Sequence, residues 1–90
     1  MKRVHLIISG DVHGVGFRAW IKQEADALDI VGWVKNREDQ TVEVVAEGEE
    51  QNLKTLIERC GKGPDVAWVE DVQIDWQDYG DEFSDFEVVS

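Results

Sequence analysis

Residues 10–18 read Gly10-Asp11-Val12-His13-Gly14-Val15-Gly16-Phe17-Arg18, and their flanks make them a strand-to-helix loop. Before them lies the apolar run Val4-His5-Leu6-Ile7-Ile8, which has strand character. After them Phe17, Ile21, Ala25 and Leu28 recur every three or four positions, as on one face of a helix. Glycines at 10, 14 and 16 let backbone N–H groups turn inward in conformations closed to other residues. Such N–H groups beside a helix N-terminus form a cradle of partial positive charge that suits an anion. Arg18, in or near the first helical turn, adds a guanidinium able to grip two phosphate oxygens at once. The loop lacks a Gly-Lys-Ser/Thr ending and the glycine spacing of the dinucleotide fingerprint, so neither of those phosphate loops is present. Alone it leaves two readings open: a phosphate cradle, or a tight turn with Arg18 on a solvated helix face.

A second stretch narrows the choice. Gly32-Trp33-Val34-Lys35-Asn36 is followed by the polar Arg37-Glu38-Asp39-Gln40 and then by Thr41-Val42-Glu43-Val44-Val45-Ala46-Glu47-Gly48. Together with residues 10–18 this resembles the acylphosphatase family. The family carries a Gly-x-Val-Gln-Gly-Val-x-Phe-Arg loop and a Gly-Trp-Val-x-Asn strand that leads through an Asp-Gly turn into a Val-Glu strand. Gly10, Val12, Gly14, Val15, Phe17 and Arg18 match the first signature; Gly32, Trp33, Val34, Asn36, Asp39, Val42 and Glu43 match the second. Gly63-Pro64 and the strand after it also fit, so the resemblance spans essentially the whole chain. His13 departs from the usual glutamine and Gln40 from the usual glycine. A backbone N–H at position 13 survives the first change. The second means either that the turn needs no positive φ there or that it is mildly strained.

Ninety residues make a single domain, 1–90, with a modest core. Such a chain buries about 60–65% of its extended surface. One cysteine, Cys60, rules out an internal disulfide, and no apolar run approaches a membrane span. A cytoplasmic location and no membrane partner are expected. The net charge of −11 argues against nucleic acid, whose phosphates it repels. The acids, densest at Asp75, Asp78, Asp81, Glu82, Asp85 and Glu87, read as a solvated surface.

Taken in order, the pattern predicts a central strand at 2–9 with apolar residues on both faces, a helix at 17–28 and a strand at 31–36. A hairpin through 37–40 leads to an alternating strand at 41–47, where Val45 breaks the polar side. A helix at 50–60 carries Leu53, Leu56, Ile57 and Cys60 on one stripe and is stopped by Gly61 and Gly63-Pro64. Cys60 reads there as a small buried hydrophobe. A strand at 66–76 has Val66, Trp68, Val72, Ile74 and Trp76 at period two, with Glu70 the exception, and residues 86–89 form a short last strand. The order β-α-β-β-α-β is that of an α+β, ferredoxin-like sandwich: an antiparallel four- to five-stranded sheet with two helices packed on one face. The resemblance implies the strand order four, one, three, two. The first and second strands are then parallel, and their ends bring Arg18 and Asn36 together.

The resemblance also implies the activity, metal-independent hydrolysis of the carboxylic–phosphoric anhydride of an acyl phosphate. Arg18 would bind the phosphoryl group, Asn36 would orient the attacking water, and N–H groups of His13, Gly14, Val15, Gly16, Phe17 and Arg18 would hold the phosphoryl oxygens. Such a reaction needs positioning and charge stabilisation more than a strong base. No cofactor and no metal is expected, and no Cys/His/carboxylate cluster has ligand spacing. The expected partner is a small-molecule acyl phosphate, and the chain is expected to act as a monomer. The other readings are a non-catalytic phosphate- or carbamoyl-phosphate-binding module and, on fold alone, a nucleic-acid module that the charge opposes. His13 reads as a polar loop residue making a local hydrogen bond, His5 as structural and Trp33 as core.

Overall fold

A computed structural model, which describes residues 1–89, orders the chain as β1 (Lys2–Asp11), α1 (Phe17–Ala27), β2 (Val31–Asn36), β3 (Val42–Gly48), α2 (Glu50–Lys62), β4 (Trp68–Gln77) and β5 (Phe86–Val89). The strands make one sheet in the order β4-β1-β3-β2-β5. Both β1 and β2 run antiparallel to β3 between them, so they are parallel to each other. The expected ferredoxin-like α+β sandwich is present.

The core follows from the two periodicities. Val4, Leu6 and Ile8 of β1, Val34 of β2, and Val42, Val44 and Ala46 of β3 alternate onto one face. There they meet Phe17, Ile21 and Ala25 of α1 and Leu53, Leu56 and Cys60 of α2 in one buried cluster. Cys60 is fully buried, and burial, with Glu24 nearby, pushes its thiol up to about 12. Glu24 also ties the helices together by accepting from Arg59 at 3.1 Å.

The sheet is mixed where an antiparallel one was expected, because β5 pairs parallel with β2. The loop of residues 78–85 explains this. It leaves β4 at the end of the sheet where Arg3 and Glu47 face each other and enters β5 beside the start of β2. A buried carboxylate pins it: Glu47 accepts from the Gly80 N–H at 2.8 Å and the Glu82 N–H at 3.3 Å, and pairs with Arg3 at 2.9 Å. Having crossed there, the chain can only run back alongside β2, so β5 ends where β1 and β2 end.

Four sequence expectations shift. Gly10 lies inside β1, not in the loop, at φ 133° and opposite a bulge, and a Cβ there would stand 2.2 Å from the Trp68 carbonyl oxygen. At that bulge the register passes from Ser9–Asp71 to Gly10–Val69 and leaves Glu70 unpaired. Val72, Ile74 and Trp76 therefore share the helix-side face, while Trp68, opposite Asp11, falls on the other; Val66 precedes the strand. The second helix runs through Gly61 and ends at Gly63, whose φ of 68° and N–H bond to Arg59 O at 2.9 Å cap it. Trp33 is not core: it lies half-buried on the uncovered face, with Lys35 5.4 Å from its ring centroid. His5 is structural as expected, paired with Glu43 at 2.7 Å on that face.

Candidate active site

The ends of β1, β2 and β5 converge on the N-terminus of α1. Gly14 and Gly16 hold φ of 74° and 76°, which turns the chain from β1 into the helix. A Cβ at either would meet nothing within 4 Å, so these glycines are needed for conformation and leave open space above the backbone. The first helical bond runs from Trp20 N–H to Gly16 O at 3.0 Å. No side chain caps this helix and no acid stands in its first turn. The N–H groups that begin an α-helix have no partner within it, and among the described residues neither a side-chain cap nor a first-turn carboxylate answers them.

In front of them is a cavity of about 160 Å³ lined by Val12, Gly14, Gly16, Phe17, Arg18, Ala19, Asn36 and Val88. Arg18 and Asn36, eighteen positions apart in sequence, thus face one space. Arg18 Nη1 donates to Val89 O at 3.2 Å, so the end of β5 holds the guanidinium over the cavity. Asn36 is the last residue of β2, opposite Val42, and its Oδ1 is buried without a hydrogen-bond partner among the described residues. A buried amide oxygen left unmatched is costly in a finished fold.

Of the six phosphate-loop residues expected from the sequence, Gly14, Gly16, Phe17 and Arg18 line the cavity. Val15 turns its side chain onto the core. His13 also turns away, but its bond is not local: Nε2 lies 2.8 Å from the carbonyl oxygen of Thr41, 28 residues on. Gln40 resolves the two readings of the hairpin in favour of strain, since its φ is 70°. Val12, Ala19, Val88 and the Val89 carbonyl were not legible as site residues. Nothing in their spacing announces them; β5 reaches the site only because it runs parallel to β2. Among the described residues, no group of three or more His, Cys, Asp or Glu side chains could hold a metal ion.

The acylphosphatase family model matches residues 4–88. A relative from Pelotomaculum thermopropionicum named acylphosphatase is 45% identical over 86 residues, covering 96% of this chain and 94% of its own. One from Salinibacter ruber is 46% identical over 87 residues, covering 97% and 92%. The crystal structure of an acylphosphatase from Bacillus subtilis superposes with a TM-score of 0.96 at 36% identity, covering all of both chains. Full-length HypF, in a phosphate- and nucleotide-bound form, superposes at 0.90 and 26% identity, with 99% of this chain covering 12% of that one. On the family match and these near-full-length relatives, the chain belongs to the acylphosphatase family.

Proposed function

We propose that Arg18 and Asn36 divide the work of acyl phosphate hydrolysis between them, in a cytoplasmic, monomeric enzyme that uses neither metal nor cofactor. The observation that carries this reading is that Arg18 and Asn36, eighteen residues apart, line one cavity at the α1 N-terminus. The phosphoryl oxygens lie against the free N–H groups of the loop and the first turn, with the Arg18 guanidinium adding a full positive charge. Asn36 Oδ1 accepts a hydrogen bond from a water and aims its lone pair at phosphorus. Water oxygen bonds to phosphorus as the bond to the acyl oxygen breaks, and the carboxylate departs with that electron pair. The water's proton passes to solvent or to the phosphate product. An amide cannot remove the proton at neutral pH, and with a carboxylate leaving group it does not need to.

The test is hydrolysis of benzoyl phosphate in EDTA by the wild type and by folded Arg18→Ala and Asn36→Ala variants. Loss of the arginine should lower kcat by about a thousandfold or more, and loss of the asparagine by about 10²–10³. Asn36→Ala with undiminished kcat would remove the water-orienting role. A folded wild type that binds phosphate without turnover would replace the enzyme with a binding module.

A further inference from the structure

We propose that His13 is a positioning residue that sets the spacing between the phosphate-binding and water-orienting halves of the site. The proposal rests on the acyl phosphate reading of that site. The two halves come from distant segments: Arg18 and the glycine loop follow β1, while Asn36 ends β2. Sheet pairing joins them below, where Ile8 of β1 faces Val42 and Val42 faces Asn36. Beyond the last paired residues, and apart from the Arg18 bond to Val89 O at the end of β5, a further tie spans them, and it is made at one atom. The Thr41 carbonyl oxygen lies 2.8 Å from His13 Nε2 and also accepts the N–H of Arg37, the residue after Asn36, at 2.9 Å. A carbonyl oxygen has two lone pairs, and both are used.

The chemistry fixes the tautomer. A carbonyl only accepts, so the ring must carry a proton on Nε2, which excludes the Nδ1–H neutral tautomer. The anchor is itself held, because Thr41 N–H and Oγ1–H both donate to the Asp39 carboxylate, at 3.1 and 2.5 Å. His13 thus ties the loop that carries the cradle to a braced hairpin whose first strand ends in Asn36. In-line attack requires the water and the phosphorus to be held at near-contact distance, and a displacement of about 1 Å can cost about a hundredfold in rate. A glutamine here places its Nε2 donor the same three bonds beyond Cβ as the imidazole does, so it can make the same tie; alanine cannot.

The experiment compares wild type, His13→Ala and His13→Gln for kcat on benzoyl phosphate and for inhibition by inorganic phosphate, beside the ¹⁵N spectrum of the wild-type imidazole. The alanine variant should lose about ten- to a hundredfold in kcat while its phosphate Ki stays within about threefold, since the cradle and Arg18 remain. The glutamine variant should recover most of the rate. The spectrum of the neutral ring should show the proton on Nε2 and not on Nδ1, a readout that needs neither activity nor a folded variant. Unchanged kcat in alanine, no recovery in glutamine, a phosphate Ki that weakens in step with kcat, or an Nδ1–H tautomer would each overturn the positioning role. Absence of turnover in the wild type would instead remove the underlying reading, with the tautomer still reporting on the tie.

Discussion

Gln40 holds a φ of 70° in the hairpin between β2 and β3, a conformation costing a side-chain-bearing residue about 1–2 kcal/mol. Glycine adopts it freely but also gains freedom in the unfolded chain, which offsets part of the relief. Gln40→Gly should therefore stabilise the protein by about 0.5–1 kcal/mol, raising Tm by roughly 2–8 °C in a thermal scan. An unchanged or lower Tm would mean the turn is not strained. At the same scale, sequence reading found the two residues that matter most to the proposed chemistry. Arg18 and Asn36 were legible because each stands at a fixed offset within a local signature. His13 was legible as a residue but not as a tie. Its partner, the Thr41 carbonyl, is a backbone atom 28 residues away, and backbone atoms leave no trace in residue identity.

Among elements, the crossing loop of residues 78–85 decides more than its irregular sequence suggests. It delivers β5 to the far edge of the sheet, and the buried Glu47 carboxylate is its anchor. Burial raises the carboxyl's pKa, but the Gly80 N–H, the Arg3 guanidinium and the Glu82 N–H outweigh burial and hold it below its ordinary 4.5. A carboxyl depressed in the folded state contributes stability above the unfolded value and loses it as pH falls through the folded one. Glu47→Gln should cost about 2 kcal/mol in urea unfolding at pH 7, with the gap to wild type closing as pH falls below about 4.5. A gap that persists in acid would place the loss in packing instead of charge. Glu47 was not legible as an anchor: it reads as a polar position on an alternating strand, and only the crossing loop turns it into a buried one.

At the scale of the whole molecule, the net charge of −11 surrounds a site built to take an anion. The local field of Arg18 and the helix N-terminus acts once the substrate has arrived. Beyond about 8 Å, the screening length at physiological ionic strength, the summed negative charge repels it. Added inert salt should therefore raise kcat/KM by a modest factor, about two- to threefold between low and physiological ionic strength, with kcat nearly constant. A marked fall would show that the basic mouth governs encounter.

Sequence alone determined the element order, the helix stripes, the alternating central strands and both signatures of the site, because each is written in residues close together along the chain. Helical and strand periodicity, glycine's freedom at positive φ and the spacing of an arginine from a glycine loop are local physics. Tertiary structure alone decided that β5 lies parallel to β2, that its last carbonyl holds Arg18, that a bulge at Gly10 turns Trp68 away from its neighbours, and that His13 reaches Thr41. Each of those depends on where the chain goes after it leaves a strand. That route is set by the burial of Glu47 and by which sheet edge remains unpaired, quantities belonging to the assembled fold and to no single stretch of it.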